Sequence, residues 1–143
     1  MANLLEELAT WFGANVSGVT LWDEAAETGN LFRDYMPDFS KDANVGAQIS
    51  IGFDGKPMET GIPGKYKQKF VVVGQGAGNE TEIKAMHSWL WQRGAGRTFP
   101  PPFSLTNFEV QKVALEGRPL SFFDTGIDQT CWTFSFSLIY YES

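Results

Sequence analysis

The sequence predicts an α+β domain: a mixed or antiparallel sheet of about four to five strands, with two helices packed on one face. Three observations carry that expectation. Two segments place apolar residues at helical spacing, three alternate apolar and polar residues at the spacing of a strand, and glycine- or proline-rich turns separate them.

Asn3 can cap a helix whose Glu6 completes a capping box, and Leu4, Leu5, Leu8, Trp11 and Phe12 then share one stripe. Gly13 is the expected stop. Val16 to Trp22 is β-prone but broken by Gly18, and Asp23 to Thr28 is acidic and small, so an irregular segment is expected to lead into a short strand from Asn30 to Tyr35, ended by Pro37. From Ala47 to Phe53 the residues Ala47, Ile49, Ile51 and Phe53 alternate with Gln48, Ser50 and Gly52, as in a half-buried strand. A turn follows at Asp54 to Pro57, and then a loop from Met58 to Lys65. Tyr66 to Val73 passes from alternation into a continuous apolar run, the pattern of a central strand.

The run GQGAG at 74–78 leads to a second helix, with a capping box expected from Asn79 to Glu82. Ile83, Met86 and Leu90 mark its inner face, and Arg93 and Gly94 close it. Pro100 to Pro102 is expected to be extended and stiff. Thr106 to Leu115 reads as a strand whose apolar phase slips between Val110 and Val113, which predicts a β-bulge near Gln111 and Lys112. Trp132, Phe134, Phe136, Leu138 and Tyr140 then alternate strictly with Thr133, Ser135, Ser137, Ile139 and Tyr141, and the last two strands are expected to pair across a long loop. With both helices on one face, Val71, Val73, Ile139 and Tyr141 need cover from a second layer or a neighbouring chain.

At 143 residues, the size fits one domain spanning 1–143, large enough to fold around a core without staples. The single cysteine, Cys131, excludes an intrachain disulfide and a cysteine-based zinc site. A net charge of −6, with the basic residues between Lys56 and Arg97 scattered, argues against gripping a phosphate backbone. No run approaches a membrane span, and MANLLEELATWF carries acids where a secretory signal needs basic residues, so the chain is expected on the cytosolic side.

The strand, glycine turn and helix around GQGAG have the context of a dinucleotide-binding fingerprint, but G-x-G-x-G puts its third glycine one position early. Asn79 stands where that glycine belongs, and no ribose-binding acid follows on a second parallel strand. A partner-facing turn is the better reading. His87, the only histidine, has no adjacent imidazole or thiol and reads as packed or surface. Cys131 lacks a neighbouring base, Ser17 and Ser104 lack a nucleophile elbow, and Asp23, Glu24 and Glu27 lack calcium-loop spacing. The chain is therefore expected not to be an enzyme and to hold no metal or cofactor.

Five Trp and twelve Phe exceed what so short a core needs. Trp22, Trp91, Phe99, Phe103, Phe122 and Phe123 fall in turns or on helix backs, where they either belong to loops folded over the sheet or contact another subunit.

The stretch from Leu31 to Gly94 carries Met36-Pro37-Asp38, the strand Ile49 to Phe53, Asp54-Gly55-Lys56-Pro57, the strand Phe70 to Val73 and the helix Glu80 to Arg93 in that order. With the closing strand ending at Tyr140-Tyr141, it resembles the tail terminator (tail completion) proteins of long-tailed bacteriophages, a family that includes minor capsid proteins. The turn GQGAG departs from the arginine-containing turn often found there, and no residue role is carried over at that point.

The resemblance implies a virion structural protein assembled in the host cytoplasm: a hexameric homo-oligomer ring that caps the tail tube, stops its polymerisation and joins the tail to the head connector. Its partners would be the tail tube protein and the head connector, with DNA passing through the ring without specific binding and no membrane involved. A ring needs two unlike adhesive surfaces per subunit. The aromatic residues named above, together with Lys56, Pro57 and Met58, are the candidates, and the loops Lys56 to Lys65 and Gly94 to Ser104 are expected to order on meeting the tube. The alternatives are another neck or tail component, such as a head-closure or tube protein, and a small ligand-binding α+β domain, which would need a pocket with convergent polar groups.

Overall fold

A computed structural model of the chain describes residues 3–34, 46–93, 103–126 and 128–142. The element order is α1 (Leu4–Asn15), β1 (Leu31–Arg33), β2 (Gln48–Phe53), β3 (Met58–Glu59), β4 (Lys65–Gln75), α2 (Asn79–Arg93), β5 (Phe103–Ser104), β6 (Phe108–Asp124) and β7 (Gln129–Glu142). The seven strands form one mixed sheet in the order β1-β2-β4-β7-β6-β5, with β3 added to β4. β1 runs parallel to β2, and every other pairing is antiparallel.

The α+β class and the two helices on one face are as the sequence predicts, but the strand count is higher than four to five. The additions, β3 and β5, are two-residue edge strands, too short to show an alternation. β3 also revises the expected Met58 to Lys65 loop. Met58 pairs with Lys67 and Glu59 with Tyr66, and the Thr60 hydroxyl donates to Lys65 O at 3.0 Å.

In α1, Asn3 caps as expected, its Oδ1 accepting the Glu6 N–H at 3.1 Å. The helix does not stop at Gly13. It continues to Asn15, because Gly13 is there for close approach: a Cβ would lie 3.1 Å from Leu21 N. β1 is shorter than the expected Asn30–Tyr35. Asp34 ends it in a left-handed conformation at φ 66, and Asn30 is used instead to accept the Thr20 N–H and donate to Gly18 O, each at 2.8 Å. Tyr35, Pro37, Gly94 and Pro100–Pro102 lie outside the described residues.

β4 is central, between β2 and β7. The core lies between the helices and one sheet face. It joins Leu5, Leu8 and Phe12 of α1 and Ile83, Met86 and Leu90 of α2 to Ile49, Ile51, Phe70, Val72, Phe136 and Leu138 of the sheet. Phe136 stacks on Phe70 at 5.1 Å and meets the edge of Phe12 at 6.2 Å. Each such ring, fully buried, is worth about 1.5–3 kcal/mol of transfer free energy.

β6 carries the expected bulge, since the register with β7 shifts between Val110 and Lys112. It does not end at Leu115. A second shift, between Glu116 and Leu120, takes Gly117, Arg118 and Pro119 out of the ladder, after which pairing resumes to Asp124↔Gln129. The hairpin therefore closes on a short loop rather than a long one. β6 hides from an alternation count because its two bulges reset its phase.

Candidate functional site

The sheet face away from the helices changes character from end to end. At one end Lys65, Tyr141 and Glu109 form one cross-strand row, and Lys67, Ile139 and Lys112 the next, with Met58 beside Lys67. In the middle, Lys69 is held by Glu116 at 3.0 Å and Asp54 at 3.3 Å, and the Ser137 hydroxyl donates to Glu116 at 3.3 Å. Hydrogen bonds and charge attraction from Glu116 and Asp54 push the Lys69 ammonium up from its ordinary value. Small side chains follow in the row Gly52, Val71, Ser135. Beyond them Thr133 faces Leu120, Cys131 faces Phe122, and Gln129 faces Asp124.

That last section is a two-stranded arm. The β4 ladder reaches β7 only as far as Gly74↔Trp132, so Gln129–Cys131 have no strand beside them on that side. Side chains take the place of the strand. Asn79, 6% exposed, accepts the Trp132 N–H at 3.0 Å and donates to Thr130 O at 3.1 Å and Gly76 O at 2.7 Å. The Gln129 side-chain carbonyl accepts the Gly76 N–H at 2.8 Å. The expected capping box therefore does not form: the Glu82 N–H donates to Gly78 O, and Asn79 is spent on the arm.

The GQGAG turn is explained by packing. Gly76 sits at φ 87, where a side chain would run into Gly46 O, and a Cβ on Gly74 would lie 2.8 Å from Ile83 Cγ1. These glycines let the turn and α2 approach the sheet closely.

The predicted contact residues separate into distinct places. Lys56, Pro57 and Met58 are exposed at the basic end, where Ile62 joins them, and Phe53, 44% exposed, lies against Phe70 at 5.4 Å in the middle of the sheet. Phe122 and Phe123 are exposed on the arm; they stand on β6, not in a turn as expected, and Leu120 joins them at 68% exposure. Trp22 is half-buried against Phe32 at 5.1 Å, beside a cleft of about 400 Å³ whose Glu6 and Arg33 already pair at 3.3 Å. Trp91, 64% exposed, borders a groove with His87, Leu115 and Arg118. Phe99 lies outside the described residues, and of Phe103 only the backbone, in β5, is described. Sequence reasoning missed Phe53, Ile62 and Leu120. Leu120 was hidden by the second bulge, and Ile62 by lying in a glycine-rich turn.

His87 places Nε2 3.0 Å from Gly117 O and its ring edge-on to Phe134. Cys131 is buried, and burial together with the Asp124 charge pushes its thiol up, which makes it a poorer nucleophile. The Asp23 carboxylate accepts the N–H groups of Ala25 and Ala26 within its own turn. Among the described residues, no group of three His, Cys, Asp or Glu side chains is placed to hold a metal ion, and no helix is long and apolar enough to cross a membrane. Neither the protein-family models nor the curated proteins compared with this chain give a match.

Proposed function

We propose that this chain is a tail terminator of a long-tailed bacteriophage. It would be a non-enzymatic virion protein forming a ring, six copies by the resemblance, that caps the tail tube, stops its growth and presents a surface to the head connector. One observation carries the reading: unlike apolar surfaces are exposed at opposite ends of the sheet, Met58 and Ile62 at one, and at the other Leu120 and Phe122 with Phe123 on the reverse of the same ribbon. A closed ring needs two different complementary surfaces on each subunit, whereas a two-fold dimer needs only one.

The net charge of −6 supports the same reading, because an acidic ring repels a passing phosphate backbone instead of binding it. The test is tail assembly with and without the protein, viewed by negative-stain electron microscopy. Tubes of uncontrolled length are expected in its absence, and tubes of uniform length, able to join heads, when the purified chain is restored. Uniform tubes in both cases would remove the proposal.

A further inference from the structure

The geometry points to a specific contact between copies: the arm of one chain seats on the basic end of the next. The arm exposes Leu120 and Phe122 on one side and Phe123 on the other, since the first two share a face with Thr133 and Cys131 and the third with Thr130. Apolar side chains on both sides of a two-stranded ribbon are costly in water, and such a ribbon is marginal by itself. The arm also carries Asp124 and Asp128, opposed by Arg118 at its base.

The opposite end of the sheet is its complement. Lys65, Lys67 and Lys112 stand on the helix-free face against Glu109, Lys56 is exposed in the adjoining turn, and the acids Glu59 and Glu142 lie on the helix side, level with Tyr66 and Phe108. Met58 and Ile62 supply apolar surface there, 55% and 49% exposed. Ring meets thioether only if the two ends touch, and Asp124 and Asp128 then meet a face on which lysines outnumber acids.

They cannot touch within one chain. Met58 is level with Lys67 and so with Ile139, whereas Phe122 is level with Cys131. Along β7 that separation is about 26 Å, at about 3.3 Å per residue, with three strand spacings sideways in addition. A second copy is therefore the occupant.

Simple addition of a strand to the β6 edge is not the mode. Pro119 has no N–H to offer, and the bulge at Gly117 breaks the edge between the core of the sheet and the arm. Side chains carry the contact, so it responds to charge. The inference rests on the ring reading for the number of copies, but not for which surfaces meet.

The experiment is a charge exchange read by sedimentation velocity and native mass spectrometry. One variant makes the arm basic (Ser121→Lys, Asp124→Asn, Asp128→Lys), with asparagine keeping the acceptor that Asp124 offers the Gly126 N–H. The other makes the receiving end acidic (Lys56→Glu, Lys65→Glu, Lys67→Glu). Wild-type chain is expected to self-associate. Each variant alone, folded by circular dichroism, is expected to associate at least tenfold more weakly, and an equimolar mixture is expected to recover association by alternating the two variants around an even-numbered ring.

An uncharged control, Phe122→Ser with Phe123→Ser, is expected to weaken association at least tenfold and to remain weak in any mixture. A wild-type chain that stays monomeric at millimolar concentration, variants that associate like wild type, or a mixture that fails to recover would each overturn the contact. Recovery that stops at a two-fold dimer keeps the contact and removes the ring. Uniform tails from an exchange variant that no longer self-associates would remove the contact and leave the terminator reading standing.

Discussion

Asn79 at the start of α2 holds Trp132 on the last strand: its side-chain carbonyl accepts the Trp132 N–H at 3.0 Å, while its amide donates to Thr130 O at 3.1 Å. One side chain thus occupies the donor and acceptor positions that the next residues of β4 would have filled. It joins the position of the second helix to the register of the arm.

Replacing Asn79 by Ala removes the partner of the Trp132 N–H and of Thr130 O in a buried place, whereas Gly76 O keeps the backbone N–H of residue 79 at 3.2 Å. Unfolding in urea is expected to show a loss of about 2–4 kcal/mol, since an unsatisfied buried group costs about 1–3 kcal/mol. Asn79→Asp is expected to recover little, because a carboxylate can accept from Trp132 but cannot donate to Thr130. Hydrogen exchange at 129–133 should speed up more than at Phe70 or Val72.

Cys131 faces Phe122 within the arm and is buried, with its thiol pushed up by burial and by Asp124. In the native protein a thiol reagent is expected to react at the rate at which the arm opens, well below the rate of the unfolded chain. Asn79→Ala should accelerate that reaction severalfold without global unfolding. Equal rates in both proteins would show that the Asn79 bridge does not hold the arm.

Glu82 lies against Gly18, and burial raises its carboxyl above the ordinary 4.5. A raised carboxyl means that the native state binds the proton more tightly than the unfolded state. Its contribution to stability is therefore most favourable below pH 4.5 and declines as pH rises through the native value. Glu82→Gln is expected to be slightly more stable than wild type at pH 7, with the difference closing below pH 4.5, as measured by thermal unfolding across that range.

Lys69 is raised by Glu116 and Asp54, so its pairing contributes fully below the ordinary lysine value of 10.5 and is lost as pH climbs through its higher native value. The partners are about half exposed, which keeps the effect small and sensitive to salt. Lys69→Met is expected to lower the melting temperature only slightly at neutral pH. The cost should shrink in 1 M salt and disappear well above pH 10.5.

Gly76→Ala places a side chain in a left-handed conformation and against Gly46 O. Its melting temperature is expected to fall by several degrees, in line with a loss of more than about 1 kcal/mol. Millimolar ATP or NAD is expected to leave the melting temperature of the wild-type chain unchanged. Micromolar binding of either nucleotide would reinstate the phosphate-binding reading of the turn.

Local patterning made much of this fold legible. The stripe Leu4, Leu5, Leu8, Phe12, the face Ile83, Met86, Leu90 and the alternation from Trp132 to Tyr140 are each written in spacing, because a helix or strand half covered by a core must repeat its apolar residues at its own period. The slip between Val110 and Val113 was enough to locate the first bulge. Candidate contact residues were legible only as a surplus of aromatics: Phe122, Phe123 and Met58 stand exposed, whereas Trp22 turned out half-buried against Phe32.

Sequence alone therefore determined the class, the two helices, the central and closing strands and the absence of any disulfide within the chain. Tertiary structure decided the rest. Asn79 looked like a helix cap and became a bridge to β7, GQGAG read as a partner-facing turn and is used for close packing, and β6 ran on past its second bulge to carry Phe122 and Phe123 out on an arm. The physical reason is common to all three. A residue's own neighbours set its conformational preference, but its hydrogen-bond partners and steric limits are supplied by other elements, 51 and 53 residues away for the Asn79–Thr130 and Gly76–Gln129 bonds and from Gly46 and Ile83 for the glycines, or across a strand register that no local pattern encodes.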